Sequence, residues 1–190
     1  MTDRAPSAPQ RKQEITTHGD VRIDPWSWLR DIDDPETMEY LKAENAHTDA
    51  VLKPESALQD ALSEEMRARI KEDDSTVPQK DGDYFYYTRF EEGKQYPIFC
   101  RKHLSLDAPE EVILDVNELA KDLDYCRVGS LENSPDHSML AYSMDSDGSE
   151  IYTIYIKDLE SGELLPESIP GSYYSLEWAN DNKTIFYDVL

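Results

Sequence analysis

Two stretches of the sequence, 45 residues apart, follow the same pattern. LENSPDHSMLAYS begins at Leu131 and LEWANDNKTIFYD at Leu176; both open on Leu-Glu, place an Asp five positions later and continue into a run that contains Tyr. A third stretch, DGDYFYYT from Asp81, aligns with DHSMLAYS from Asp136. Each unit is typical of a strand, an Asp-bearing turn and an aromatic-rich strand. Four-stranded propeller blades repeat every roughly 40–50 residues, so the pattern favours propeller blades over unrelated hairpins that share turn residues by chance.

The region beyond residue 82 consists of short apolar runs separated by Pro, Gly, Asp and Asn, which is typical of strands and turns. We predict only β-structure there, with antiparallel strands grouped at a period near 45 residues. Glu92-Gly93 and Ser161-Gly162 are the hairpin signals. The predicted strands cover 84–89, 96–102, 111–116, 139–144, 150–159 and 184–190.

Two helices are predicted before this region. Asp34 suits an N-cap, Pro35 the first helical position and Glu36 the positive end of the helix dipole, so the first helix is expected over 35–52, before Pro54. The second is expected over 56–71, with one buried apolar face formed by Leu58, Leu62, Met66 and Ile70. The predicted fold class is therefore mixed: an N-terminal α-helical segment followed by the first antiparallel blades of a β-propeller.

The chain is expected to have three parts. Residues 1–17, rich in Pro, Ala, Gln and charge, are predicted to be a flexible leader. Residues 18–75 form an N-terminal helical extension, and residues 76–190 form about two and a half propeller blades. Propellers typically need about 4–8 blades, and the last run, Tyr187 to Leu190, stops within a strand pattern. We therefore expect the sequence to be the beginning of a longer protein.

The charge of the chain restricts its partners. It carries 41 acidic and 19 basic residues, a formal net charge of −22. Such a surface repels nucleic acid and anionic lipid and attracts cationic ligands. No run has the length of a membrane span, residues 1–20 contain no apolar signal core, and Cys100 and Cys126 are widely spaced. A cytoplasmic protein that binds neither nucleic acid nor membrane is expected; two reduced thiols fit at least as well as one disulfide.

No catalytic or metal-binding motif is found in the sequence. A nucleophile elbow, G-x-S-x-G, needs two glycines four positions apart, and no pair among the seven glycines is that close. The four histidines lack zinc-site spacing, so His18 is interpreted as structural. DSDGSE at 145–150 lacks the full calcium-loop pattern and is interpreted as an exposed turn. We therefore predict no catalytic residue, no metal and no cofactor site in this chain, and its substrate-binding residues are not identifiable from sequence.

A series of segments in fixed order resembles the N-terminal part of the prolyl oligopeptidase family, and specifically its oligopeptidase B branch. The resemblance covers nearly everything from His18 onward, and its one mild departure is Trp26, where the family more often has Tyr. The segments are HGDVRIDPWSWLRD (18–31), YLKAEN (40–45), EEMRARIKEDDSTVP (64–78), GDYFYYTR (82–89), GKQYPIFCRK (93–102), ILDVNELA (113–120) and WANDNKTIFY (178–187).

The resemblance implies a function that the residues alone do not. Family members carry a C-terminal α/β-hydrolase domain, absent from this sequence, with a serine nucleophile followed by Asp and His. They hydrolyse short peptides, in this branch after Lys or Arg, and the propeller excludes folded proteins. Short cationic peptides and the missing hydrolase domain are thus the implied partners, and the chain alone should be inactive. A prolyl-specific relative and a non-catalytic propeller that binds a partner remain as alternatives.

The apolar residues of DPWSWLRD, Trp26, Trp28 and Leu29, need a cover. By resemblance, they would pack against the hydrolase domain, which predicts that Trp26 or Trp28 lacks a complete shell in this chain. The alternative is a self-contained helical cap in which these residues pack on the two predicted helices, against Leu41, Leu58 and Leu62.

Overall fold

The computed structural model describes residues 4–189. Contacts divide these residues into one unit that ends at Ile70 and a second that starts at Lys71. The boundary predicted after residue 75 is corrected, because the segment just before it joins the second unit. The carbonyl of Asp74 accepts a hydrogen bond from the Phe90 amide at 2.8 Å, and Ser75 forms a β-bridge with Arg89.

The first unit begins with a hairpin that the sequence analysis did not predict. Strands β1 (Gln13–Thr17) and β2 (Asp20–Asp24) pair antiparallel across the two-residue turn His18-Gly19. Both turn residues have positive φ, 53° and 84°, as a tight hairpin turn of this length requires. The predicted flexible leader, 1–17, is therefore corrected for residues 13–17, which are paired; residues 1–3 lie outside the described residues.

The helices follow the hairpin. A 3-10 turn (Ser27–Arg30) leads to α1 (Pro35–Leu52), whose N-cap Asp34 accepts a hydrogen bond from the Glu36 amide at 2.9 Å. A second 3-10 turn (Lys53–Glu55) leads to α2 (Ser56–Arg67). The bounds of α1 are as predicted, whereas α2 ends before residue 71. The apolar face predicted to be buried on the second helix is exposed at Leu58, Leu62, Met66 and Ile70.

The second unit contains the remaining strands. The first of its sheets has four antiparallel strands in chain order: β3 (Gln79–Asp81), β4 (Tyr84–Arg89), β5 (Ile98–His103) and β6 (Glu111–Asp115). A single helical turn, α3 (Val116–Leu119), follows and corrects the prediction of β-structure alone. The next strands are β7 (Arg127–Asn133), β8 (Met139–Asp145), β9 (Tyr152–Asp158), β10 (Leu164–Trp178) and β11 (Ile185–Val189).

Strand β10 belongs to two ladders. Its first part, from Leu164 to Ser172, pairs with β9, and its second part, from Ser172 to Trp178, pairs with β11. Register shifts interrupt both ladders near Ser172. The strand thus closes the second blade and opens the third. The repeated sequence units correspond to β3–β4, β7–β8 and the second part of β10 with β11, the first hairpins of three successive blades.

The core lies on both faces of β8. Leu140 and Tyr142 pack with Ile113 and Leu114 of the first blade. Ala141, which points to the opposite face because side chains alternate along a strand, packs with Ile154, Leu176 and Trp178. Each blade therefore covers a face of its neighbour.

The turns of the repeat also contact one another. Gly82, His137 and Asn182 follow the aligned aspartates, and all three have positive φ, at 54°, 62° and 58°. The His137 ring lies over Gly82, where an added Cβ would be 2.5 Å from Nε2. Asn182 Oδ1 accepts a hydrogen bond from the Asp136 amide at 2.9 Å. The residue after the aspartate in each later turn thus reaches back to the turn of the preceding blade.

Gly82→Ala should test the packing of the first two blades against each other. Gly93 is the matched control, because it also has positive φ but has nothing within 4 Å of an added Cβ. We expect Gly93→Ala to lower the free energy of unfolding by about 1–2 kcal/mol from backbone strain alone. Gly82→Ala should lower it by about 1–3 kcal/mol more, from the clash with His137. Urea denaturation measures both, and equal losses would show that the ring does not pack on Gly82. Adding His137→Ala should remove the difference between the two glycine variants.

Candidate functional site

The joint between the first two blades is built around a buried arginine. The Arg101 side chain is 6% exposed, and its Nε lies 2.8 Å from Glu111 Oε2. Its Nη1 donates to the His137 carbonyl at 2.7 Å, and its guanidinium carbon lies 4.2 Å from the centroid of the Tyr84 ring. The guanidinium therefore bridges two strands of the first blade to the Asp-bearing turn of the second.

Aromatic rings surround this arginine. Tyr84 lies between His103 and His137, with centroid distances of 4.9 Å and 5.3 Å. The Tyr86 hydroxyl is 2.9 Å from His137 Nδ1, and burial raises the pKa of Tyr86. The cluster is held by stacking and hydrogen bonds. No three side chains of His, Cys, Asp or Glu converge in metal-binding geometry anywhere in residues 4–189.

The turn at 145–150 is structural. Residues 146–150 are exposed, as predicted for a turn at this position, whereas Asp145 itself is fully buried. Its carboxylate accepts hydrogen bonds from the amides of Asp147, Gly148 and Glu150 at 3.0, 2.9 and 3.0 Å. Burial raises the pKa of this carboxyl, but the amide hydrogen bonds outweigh it and the net pKa is lowered. The carboxylate thus caps its own loop.

The two thiols are free and buried. Burial raises the pKa of Cys100 to about 11 and also raises the pKa of Cys126. Because the thiolate is the reactive form and a raised pKa keeps the thiol protonated at neutral pH, neither cysteine is activated as a nucleophile.

Trp26 and Trp28 of the first unit differ in how much of each indole is covered by other residues of the chain. Trp28 donates from Nε1 to the Pro9 carbonyl at 2.9 Å, and the Arg11 guanidinium lies 4.3 Å from its ring centroid. Tyr40 approaches its edge with a centroid distance of 6.5 Å. The segment predicted as a leader thus covers much of this indole, which the sequence did not reveal.

Trp26 is 46% exposed, which confirms the prediction that one of these indoles lacks a complete shell. It borders a cleft of about 300 Å³ that also includes Ile15, Ile23 and Arg22. Leu41, Leu58 and Leu62, the residues of the self-contained alternative, are themselves exposed.

Two carboxylates occupy equivalent positions in neighbouring blades. Glu132 on β7 and Glu177 on β10 each follow the leucine of the repeat, and Trp178 Nε1 donates to the Glu132 carbonyl at 3.0 Å. Burial raises the pKa of Glu132, and the charge of Glu177 raises it further. Neither carboxylate forms an ion pair with a described residue. The pair therefore creates a local field that favours a cation. In the sequence, the Leu-Glu shared by the two repeats aligns the blades but does not by itself reveal that the two carboxylates interact.

Comparisons with known proteins identify relatives of nearly the whole chain. The family model for the prolyl oligopeptidase N-terminal β-propeller domain matches residues 6–190. Protease 2 of Moraxella lacunata is 43% identical over 180 residues, which is 91% of this chain and 26% of that protein. Dipeptidyl aminopeptidase BI of Pseudoxanthomonas mexicana is 42% identical over 187 residues, 90% of this chain and 26% of that protein. The solved structure of oligopeptidase B from Leishmania major superposes on this chain with a TM-score of 0.87 and 30% sequence identity. The aligned region covers 98% of this chain and 29% of the oligopeptidase B chain.

The β-propeller domain described by the matching family model agrees with the blades predicted from the sequence repeat. The chain spans about a quarter of the length of the curated relatives it matches. No helix among residues 4–189 combines the length and apolar character needed to cross a bilayer. On the match of the family model and the likeness to these proteins, the chain belongs to the prolyl oligopeptidase family and forms part of its N-terminal β-propeller domain.

Proposed function

We propose that this chain is the N-terminal helical and propeller part of a serine oligopeptidase that hydrolyses short peptides after Lys or Arg. The observation that carries the proposal is the similarity to Protease 2 and to oligopeptidase B over nearly the entire chain. In the proposed reaction a serine hydroxyl attacks the scissile carbonyl, the amine leaves, and water then hydrolyses the acyl-enzyme. The reacting groups would be supplied by a C-terminal α/β-hydrolase domain, beyond the quarter of the relatives' length that this chain spans.

The chain itself would contribute charge and exclusion. A net charge of −22 raises the local concentration of cationic peptides, and Glu132 with Glu177 adds an uncompensated negative site in the propeller. The complete propeller would exclude folded proteins, because only a short flexible peptide can pass a narrow channel. The buried free thiols fit a reducing compartment, which supports a cytoplasmic location.

A second candidate has its own support. Dipeptidyl aminopeptidase BI is almost as similar to this chain as Protease 2, at 42% against 43% identity. Release of dipeptides from a free N-terminus would also use a negative field, because the substrate then carries an α-ammonium group. A prolyl-specific peptidase is a weaker candidate because it gives the uncompensated carboxylates no role, and a non-catalytic binding propeller is weaker because the relatives at 43% and 42% identity are a protease and an aminopeptidase.

Reporter peptides distinguish these candidates. The longer protein that contains this segment should cleave a blocked arginyl reporter faster than a blocked prolyl one, and a serine-directed inhibitor should abolish turnover. The 190-residue chain should cleave neither, because it lacks a nucleophile elbow. Preference for an unblocked dipeptidyl reporter would favour the dipeptidase function, and inhibitor-sensitive turnover by the purified chain would contradict the proposal.

Neutralising the Glu132–Glu177 pair should weaken the binding of cationic substrates. In the longer protein, Glu132→Gln with Glu177→Gln should raise KM for an arginyl reporter roughly twofold to tenfold at low salt, with little change at high salt. Glu163→Gln with Glu167→Gln is the matched control, because it makes the same charge change at exposed positions. Equal effects of the two double variants would show that only net charge matters.

Trp26 tests the docking of the missing domain. Trp26→Ala should change the stability of the 190-residue chain by less than about 0.5 kcal/mol, since the indole is already half-exposed. In the longer protein it should cost about 1.5–3 kcal/mol, the value of burying a large side chain. Trp28→Ala serves as the control, because its contacts with Pro9, Arg11 and Tyr40 lie within the chain and should be lost equally in both proteins. Thermal and urea unfolding measure the difference; equal effects of Trp26→Ala in the two proteins would exclude docking through this indole.

A further inference from the structure

A cleft of about 360 Å³ lies between the first and second blades. Its lining includes Thr76 and Gln79 at the start of the first blade, Tyr86 and Thr88 of β4, and Leu131 and Asn133 of β7. The volume falls within the range of about 300–1,000 Å³ that is usual for small-molecule sites and is far larger than the roughly 30 Å³ of one water. The cleft can therefore hold a ligand group several atoms in size.

One polar atom beside this cleft has no hydrogen-bond partner. Leu131 and Asn133 lie two residues apart on β7, so their side chains point to the same face. Leu131 packs against the core formed with the first blade, which places Asn133 on that side too. Asn133 Oδ1 is buried and accepts no hydrogen bond from any described residue. A buried acceptor left unpaired is costly, so the site favours an occupant that supplies a donor.

The lining also defines the charge of that occupant. None of the described side chains that line the cleft is charged, although the chain has 60 charged residues, 41 acidic and 19 basic. The lining itself offers a cationic group no counter-ion, because Glu110, which accepts a hydrogen bond from the Tyr87 hydroxyl, is already paired with Arg89. An anionic group would face the negative field of the protein. Leu131, Ile113 and Tyr86 supply apolar wall. A neutral group with an N–H donor and an apolar stem fits both features.

We propose that this inter-blade cleft binds the neutral amide of a peptide, with the amide N–H donating to Asn133 Oδ1. The terminal torsion of an Asn side chain is broad, so the half-buried side chain can turn its oxygen toward an occupant. The occupant's identity as a peptide rests on the proposed function, whereas binding of an amide by the cleft does not. The site is distinct in chemistry from the Glu132–Glu177 pair, which selects positive charge.

A pair of small amides tests the proposal. N-methylacetamide has an N–H donor, whereas N,N-dimethylacetamide has nearly the same shape and none. Each is titrated into the ¹⁵N-labelled 190-residue chain while the Asn133 side-chain amide and the backbone amides of Leu131 and Thr88 are followed by NMR. We expect saturable shifts with N-methylacetamide and roughly threefold to tenfold weaker binding of the dimethyl compound, the effect of one hydrogen bond. A capped peptide, acetyl-Ala-Gln-Ala-amide, should compete for the same site.

Asn133→Leu provides the test from the protein side. The variant removes an acceptor that is unpaired in the structure, so its melting temperature should equal or exceed that of the parent chain. It should bind N-methylacetamide roughly threefold to tenfold more weakly, whereas Gln59→Leu, at an exposed amide on α2, should bind it as the parent does. Equal binding of the two amides, an unaltered affinity in Asn133→Leu, or no saturable shift would overturn the proposal. Because the NMR titrations do not measure peptidase activity, a negative result in them would not contradict the proposed function. Conversely, absence of hydrolysis in the reporter-peptide assay would not contradict amide binding by the cleft.

Discussion

The buried guanidinium of Arg101 fixes the position of the second blade against the first. Removing a guanidinium from water is expensive, and the cost is offset only where the charge is paired and its donors are used. Glu111, the His137 carbonyl and the Tyr84 ring together provide this environment. Because the carbonyl belongs to a turn of the second blade, the ion is satisfied only when the two blades are in register. The placement of β7 across the cleft from β4, and with it the cleft between the blades, depends on that condition.

Strand β7 then separates two chemically different surfaces. Its alternate residues Leu131 and Asn133 lie on the face toward the first blade, beside a cleft without charge. Glu132 lies between them in sequence and points to the other face, near Glu177 of the third blade. The alternation of side chains along one strand is enough to place a neutral site and a negative site within a few ångströms of backbone. A peptide substrate has both kinds of group, which connects the two sites to the proposed activity.

The sequence was informative where local chemistry determines structure. The aligned aspartates predicted the blade hairpins, and Asp34 with Pro35 predicted where α1 begins. The β1–β2 hairpin was missed because its turn is His18-Gly19 rather than one of the commoner pairs. The extent of β10 was also missed, since Pro166, Pro170 and Gly171 are unfavourable in strands and only pairing with two neighbours defines it. The exposed stripe on α2 could not be anticipated, because periodicity identifies an apolar face but not its cover. No sequence pattern identified Asn133, whose importance depends on the absence of a hydrogen-bond donor to its oxygen among residues 4–189.

The shared use of β10 has a consequence for where the chain can lengthen between blades. The two joints differ: β6 ends at Asp115 and β7 begins at Arg127, with α3 and a loop between them, whereas the closing strand of the second blade continues into the opening strand of the third as β10. Residues added within the exposed stretch 121–125 would lengthen a connection without interrupting a ladder. Residues added near Ser172 would fall where β10 pairs with both β9 and β11 and would disrupt both ladders. Insertions between blades should therefore be tolerated at the first joint and not at the second.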